Sequence, residues 1–122
     1  PYLDAGAFTQ KLKKAKLPGL EFVPIHFTPK ASKFANQECR GVRILLTDPV
    51  KCPSVELGIL LAQTLREFHR EQWETKKLNT LLRQPGTEDT IKGLRPRSGI
   101  VESWQKDLEQ FMTRRSGVLL YR

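Results

Sequence analysis

The sequence EFVPIHF (residues 21–27), TPKASKFANQECR (28–40) and GVRILLT (41–47) places a long polar loop between two apolar runs. Apolar residues alternate along each run, as expected of β-strands. Pro24 cannot donate a hydrogen bond to a neighbouring strand, so the first strand is expected at a sheet edge or beside a bulge. Hairpin loops usually contain about 2–5 residues. Because residues 28–40 form a longer loop than a connection requires, we interpret this loop as the functional face of the protein.

Helical patterns lie on both sides of these strands. Asp4 is a candidate N-cap for a helix that ends near residue 16, with Phe8, Leu12 and Ala15 on its apolar face. A longer helix over residues 54–69 has apolar residues around most of its circumference, which predicts that it is the most buried element. Shorter helical segments are predicted over residues 76–82 and 87–92.

The last part of the chain predicts one more helix and one more strand. The helix begins near residue 98, and Ile100, Trp104, Leu108 and Phe111 form its inward-facing stripe. A short apolar run over residues 118–121 predicts a final strand. The resulting order, α-β-β-α-α-α-β, predicts a small α/β (α+β) fold in which helices pack on a sheet of few strands.

Composition limits the possible classes of protein. The 122 residues predict a single domain, residues 1–122, that buries enough surface to fold without disulfides. No stretch approaches the roughly 18 apolar residues of a membrane span. Cys39 and Cys52 flank the second strand, about 20 Å of extended chain, so they are expected to be free thiols. The net charge of +8 favours anionic partners, although solvated helix faces also explain it.

The side chains that usually perform catalysis do not form a complete set in this sequence. His26 and His69 are the only histidines, and neither has metal-ligand spacing. His26 is expected to be a hydrogen-bonded, half-buried strand residue. Cys39 has no histidine nearby in sequence to activate it, which favours a small buried residue. Glu38 and Asp48 are possible carboxylates, but their spacing does not pair them across a cleft.

The loop over residues 28–40 has the composition of a ligand-binding surface. Thr28, Ser32 and Asn36 can donate and accept hydrogen bonds, and Lys33 can pair with a carboxylate or a phosphate. Sugar sites combine such polar groups with an aromatic floor, which Phe27 or Phe34 could provide. The alternative is that these polar side chains cap the backbone of their own loop. The local sequence supports both interpretations equally.

Four central motifs stand in the chain: Phe27-Thr28-Pro29, Ser32-Lys33-Phe34-Ala35, Cys39-x-Gly41-Val42 and Thr47-Asp48. Together they resemble the C-terminal domain of the exo-β-N-acetylmuramidase family, long classified as a domain of unknown function. Further similarity extends over nearly the whole chain, from its first residues to Leu119-Leu120-Tyr121. Family members often have glycine where Asn36 and Arg40 stand, and the segment after Trp73 also differs from their pattern.

The resemblance implies a function for the chain. Enzymes of this family remove N-acetylmuramic acid from the non-reducing ends of peptidoglycan fragments, during bacterial cell wall recycling. A Rossmann-like N-terminal domain carries the catalytic glutamate, and the C-terminal domain forms one wall of the cleft. By resemblance, this chain has no catalytic residue, cofactor or metal of its own. It is inactive alone, acts with that N-terminal domain, and is located outside the cytoplasm.

The same resemblance, combined with the loop chemistry, identifies candidate residues for binding a muramyl sugar: Phe27, Thr28, Ser32, Lys33 and Asn36. We expect the Lys33 ammonium to pair with the lactyl carboxylate that distinguishes N-acetylmuramic acid from N-acetylglucosamine.

Two alternative functions remain open at this point. The first is a non-enzymatic basic module that binds nucleic acid or another anionic polymer, although no helix–turn–helix or RNP-like pattern supports nucleic acid. The second is a domain-docking role for the broad apolar surface of the helix over residues 54–69.

Overall fold

The computed structural model describes residues 2–70, 73, 83–84 and 86–120. In chain order they form α1 (Ala5–Lys14), β1 (Leu20–Phe27), β2 (Cys39–Leu46), α2 (Ser54–Phe68), α3 (Thr87–Ile91) and α4 (Arg97–Ser116). The chain divides into two compact units, Pro1–Arg70 and Glu71–Arg122. The small α/β fold is confirmed. The helical segment predicted over residues 76–82 lies outside the described residues, and the single domain over residues 1–122 stays a prediction.

Helix α1 begins where the sequence predicts. The Asp4 carboxylate accepts a hydrogen bond from the Ala7 N–H at 3.0 Å, which satisfies one of the donors exposed at a helix start. Three lysines occupy the last turn, where positive charge opposes the negative end of the helix dipole. The helix therefore has favourable groups at both ends before any tertiary contact is made.

Strands β1 and β2 form an antiparallel two-stranded sheet, with Leu20 opposite Leu46 and Phe27 opposite Cys39. Among the described residues each strand has one neighbour, so Pro24 lies in an edge strand as predicted. Phe22 is 3% exposed, whereas Val23 and Phe27, on the other face, are 40% and 47% exposed. The Phe22 face is therefore the one that packs on the core.

The core of the first unit lies between the sheet and two helices. Its buried residues are Phe8 and Leu12 of α1, Leu17, Phe22 of β1 and Leu60 of α2. Partly buried residues pack around them: Leu3, Ala15, Leu20, Val42, Leu57, Leu61, Leu65 and Phe68.

Helix α2 has few fully buried residues, although its sequence predicts that it is the most buried element. Its buried residues are Ile59, Leu60 and Thr64 in 15 residues, whereas the 10-residue α1 buries Ala5, Phe8, Thr9 and Leu12. Helix α1 nevertheless has more exposed residues, six of 10 against four of 15 in α2, whose other eight residues are half-buried. The expectation that α2 is the most buried element therefore holds for the small number of its exposed residues but not for the number of its fully buried ones.

The second unit contains α3 and α4, and it differs from the sequence prediction in two ways. Ile100 is buried, but Leu108 and Phe111 of the predicted inward stripe are 48% and 52% exposed. The predicted strand over residues 118–121 is not formed by residues 118–120, and residue 121 lies outside the described residues. The Val118 N–H instead donates to the Arg115 carbonyl at 3.1 Å, so helix-like bonding continues past Gly117.

Candidate functional site

The loop between β1 and β2 is folded by hydrogen bonds within its own backbone. The Asn36 N–H donates to the Pro29 carbonyl at 2.7 Å, which closes the loop across its width. Two shorter turns lie inside it, from the Ala35 N–H to the Ser32 carbonyl and from the Gln37 N–H to the Phe34 carbonyl, both at 3.1 Å. The loop backbone is therefore ordered locally and does not require its side chains as caps.

Two loop residues adopt left-handed backbone conformations. Ser32 has φ of 76° and Asn36 has φ of 61°. Asparagine is among the residues that enter this region most readily after glycine, so the backbone at Asn36 would also accept glycine. Arg40 has no such requirement, because it lies within β2 opposite His26. Serine is less favoured at positive φ, and strained residues of this kind occur often at ligand sites.

The polar side chains of the loop are directed to solvent. Thr28, Ser32, Lys33 and Asn36 are all exposed. Within the described part of the chain, none of these four side chains forms a hydrogen bond or an ion pair. The interpretation that they cap their own loop is therefore wrong for the described residues. Their donors and acceptors remain available to a ligand.

The structure distinguishes the two candidate aromatic floors. Phe27 is 47% exposed, and its ring lies against Gly41, where an added Cβ would be 3.3 Å from Phe27 Cε1. Phe34 is half-buried, and the Lys33 ammonium lies 5.6 Å from the centre of its ring, within range of a cation–π contact. Phe27 therefore offers the open aromatic surface, while Phe34 supports Lys33.

A histidine and a carboxylate meet at the base of the loop. His26 Nδ1 lies 3.2 Å from Glu38 Oε1, and both side chains are more than half exposed. His26 is hydrogen-bonded, as expected, but the expectation that it is half-buried is wrong. Sequence reasoning missed this pair. The pairing of the two strands could have indicated it, because His26 lies opposite Arg40 and Glu38 stands two residues before Arg40. The pair connects the two ends of the loop.

The two candidate carboxylates lie at opposite ends of the sheet. Glu38 precedes β2 and Asp48 follows it, so the eight extended residues of β2 alone separate them by roughly 25 Å. That distance is too long for two carboxyl groups acting on one glycosidic bond, which are at most roughly 10 Å apart.

Asp48 organises a turn. Its Oδ1 accepts hydrogen bonds from the Val50 N–H at 3.0 Å and the Lys51 N–H at 3.3 Å, and the Lys51 ammonium lies 3.1 Å from Oδ2. The hydrogen bond from the Lys51 side chain, followed by those from the backbone, lowers the pKa of Asp48.

The remaining candidates for chemistry are the two cysteines and any cluster of side chains that could hold a metal ion. Cys39 and Cys52 are free thiols, and Cys39 is buried, which agrees with the predicted packing role. The described residues contain no cluster of three or more histidine, cysteine, aspartate or glutamate side chains able to hold a metal ion. Among the helices described, none has the length and apolar character needed to span a bilayer.

Comparisons with known proteins agree with the resemblance found in the sequence. A family model described as "Exo-beta-N-acetylmuramidase NamZ, C-terminal" matches residues 1–121. The peptidoglycan beta-N-acetylmuramidase NamZ of Bacillus subtilis (strain 168) is 27% identical over 124 residues, which cover 99% of this chain and 30% of that protein.

The fold is also similar to a solved structure. A DUF1343 family protein from Bacteroides fragilis NCTC 9343 superposes with a TM-score of 0.74 at 19% identity, covering 99% of this chain and 34% of the other. The chain thus spans about a third of the length of these two proteins. Because the family model covers nearly every residue, the chain belongs to the family of NamZ exo-β-N-acetylmuramidase C-terminal domains.

Proposed function

We propose that this chain forms one wall of the substrate cleft in a peptidoglycan exo-β-N-acetylmuramidase. Membership in the NamZ C-terminal family supports this assignment. So does the name of the Bacillus subtilis relative, which describes a β-N-acetylmuramidase that acts on peptidoglycan. In this proposal an N-terminal Rossmann-like domain of the same protein supplies the catalytic glutamate. The chain alone does not hydrolyse muramides, and the enzyme works outside the cytoplasm.

The observation that carries the proposal is the availability of the loop side chains. Thr28, Ser32, Lys33 and Asn36 are exposed and unbonded within the described residues, although the loop backbone is ordered. Surface side chains that the fold does not use are suited to recognising a ligand. The exposed ring of Phe27 at the base of the loop would pack on one face of the sugar.

Lys33 has the central role in selecting the sugar. Its ammonium would pair with the lactyl carboxylate of N-acetylmuramic acid, a group that N-acetylglucosamine lacks. The contact with the Phe34 ring, at 5.6 Å, limits the positions that the ammonium samples before a ligand binds. Thr28, Ser32 and Asn36 would donate to and accept from the sugar hydroxyl and acetamido groups.

The test compares two lysines of the same loop. In the intact enzyme, Lys33→Ala should lower kcat/KM for a muramide about tenfold, equivalent to about 1.4 kcal/mol for one charged contact. Lys30→Ala is the matched control, because Lys30 is also exposed in the loop and has no part in the proposed site. Equal kinetics for the two variants would remove Lys33 from the site.

A titration of the 122-residue chain tests binding directly. N-acetylmuramic acid should shift the NMR signals of residues 27–42, and N-acetylglucosamine should shift them much less. Binding that ignores the sugar but falls steeply with salt would support a general anion-binding module instead. Hydrolysis of a muramide by the pure chain would contradict the assignment of catalysis to another domain.

A further inference from the structure

The alternation of backbone hydrogen bonds defines the outer edge of β2. The Thr47 N–H donates to the Gly19 carbonyl at 2.9 Å, so these two residues form a hydrogen-bonded pair. Such pairs alternate along an antiparallel ladder, and the residues between them direct their backbone N–H and C=O groups away from the other strand. With the register of this sheet, the outward-directed residues of β2 are Arg40, Val42, Ile44 and Leu46.

The edge of β1 is closed, whereas the edge of β2 is open. On β1, Phe22 is 3% exposed, and Pro24 has no N–H to donate. On β2, Ile44 is 39% exposed and Leu46 is 57% exposed. No strand lies beyond β2 among the described residues. An exposed apolar edge of this kind is a template for pairing with another strand.

The apolar side chains along this edge also lack full cover. Ile44 lies opposite the buried Phe22, so Ile44 and Leu46, two residues further on, are both on the core-facing side of the sheet. Val42, on the same side, packs against the core. The cover that α1 and α2 give to this side therefore ends near Val42, and the rest of the edge presents apolar surface together with outward-directed backbone groups.

We propose that β2 pairs antiparallel with β2 of a second copy of this chain, with the two Ile44 residues opposite each other on a two-fold axis. The two sheets would then form one continuous sheet of four strands. Hydrogen bonds would form between the outward backbone groups of the two strands, and each Ile44 side chain would cover the other. The inference does not depend on the proposed function.

This register matches apolar with apolar side chains and opposite charges with each other. With Ile44 on the axis, Val42 lies opposite Leu46 of the second copy, and Arg40 lies opposite Asp48 of the second copy. Arg40 is exposed and forms no ion pair within the described residues. The Asp48 carboxylate already has Lys51 at 3.1 Å, but a carboxylate has room for a further donor.

The neighbouring registers are less favourable. Moving the axis to Arg43 would place two guanidinium groups directly opposite each other, which is destabilising. Moving it to Leu45 would place the apolar Val42 opposite Asp48. Charge matching therefore selects the register, as it does at many interfaces. The net charge of +8 on each copy opposes association at low ionic strength, so moderate salt favours the dimer.

Sedimentation equilibrium of the 122-residue chain measures the association. The interface of one strand pair is small, so the concentration series extends into the millimolar range, where we expect the mass to rise from that of one chain to that of two. Ile44→Lys would place two ammonium groups on the axis and should keep the mass at that of one chain. Val23→Lys is the matched control, because Val23 has a similar exposure, 40%, but lies on β1. Circular dichroism checks that both variants fold.

A cysteine experiment tests the register and does not depend on the lysine variants. Both cysteine variants also carry Cys52→Ala, which removes the thiol that is not fully buried. The Cα atoms of a hydrogen-bonded antiparallel pair are about 5.5 Å apart, a distance that a disulfide spans. Ile44→Cys should therefore form covalent dimers with oxidised glutathione. Leu46→Cys is more exposed, but the two copies of residue 46 would lie about 13 Å apart along the strands, so it should not.

Three results would overturn the proposal. One is the mass of a single chain at every concentration. Another is a dimer that Ile44→Lys and Val23→Lys affect equally, which would place the contact on a different surface. The third is equal cross-linking of Ile44→Cys and Leu46→Cys, which would exclude the proposed register even if either lysine variant failed to fold.

Discussion

Gly19 holds the turn between α1 and β1 against the far end of β2, and its replacement by alanine should strongly destabilise the first unit. Gly19 has φ of 72°, a conformation that costs an alanine about 1–2 kcal/mol. An added Cβ would also lie 2.3 Å from the Asp48 carbonyl oxygen and 3.2 Å from the Cys52 nitrogen. Both atoms belong to the backbone, so no side-chain rotation relieves the contact.

The movement that relieves this clash also breaks hydrogen bonds. The Gly19 carbonyl accepts from the Thr47 N–H at 2.9 Å and from the Asp48 N–H at 3.3 Å. Each such bond contributes about 0.5–1.5 kcal/mol net. Adding the strain at positive φ to the loss of one or two bonds gives a destabilisation of about 3 kcal/mol for Gly19→Ala.

Urea unfolding followed by circular dichroism measures this loss, and two other glycines separate its causes. Gly93 has φ of 78° but no atom within 4 Å of an added Cβ, so Gly93→Ala should cost only the strain, about 1–2 kcal/mol. Gly58 lies inside α2 with open space around it, so Gly58→Ala should stabilise by about 0.5–1 kcal/mol. Equal losses for Gly19→Ala and Gly93→Ala would refute the close approach between Gly19 and Asp48.

Two further substitutions test the backbone of the loop and the turn after β2. Because Asn36 has φ of 61°, Asn36→Gly should preserve the free energy of unfolding, whereas Asn36→Ala should lower it by about 0.5–1 kcal/mol. Gln37→Ala is the neighbouring control, and equal effects at both positions would exclude a backbone cause. The lowered pKa of Asp48 means that its charged form stabilises the folded state. This stabilisation is present above about pH 4 and is lost as the pH falls through the folded pKa. The difference in urea stability between wild type and Asp48→Asn should therefore shrink in acid, and a pH-independent difference would contradict the role of the charge.

Elements defined by local signals could be predicted from the sequence. The Asp4 cap and the start of α1 follow from a capping residue, and both strands follow from alternating patterns. The start of α2 at Ser54 follows from its apolar periodicity, since no side chain caps that helix. These features depend on residues close together in the chain. The sequence therefore contains most of the information needed to locate them.

Features that depend on a distant partner could not be predicted. Both faces of β1 are apolar, and only the position of α1 makes Phe22 the buried residue. In the same way, periodicity identified the stripe containing Leu108 and Phe111, but it could not show whether another element covers that stripe. The predicted strand over residues 118–121 requires a neighbouring strand, and an apolar run alone does not show that a neighbour exists.

The residues that carry the family resemblance divide into two groups in the structure. Cys39 is buried, Gly41 leaves space for the Phe27 ring, and Asp48 organises a turn, so the fold itself explains these residues.

For the side chains of Ser32 and Lys33 the fold offers no comparable explanation. Both are exposed, and neither forms a hydrogen bond or an ion pair with the described residues. Ser32 also occupies a backbone conformation that serine does not favour. The hydroxyl of Ser32 and the ammonium of Lys33 are therefore available to a ligand, as the proposed function requires. This separation within one motif is the physical reason for assigning ligand recognition to the loop and structural roles to the strand and the turn.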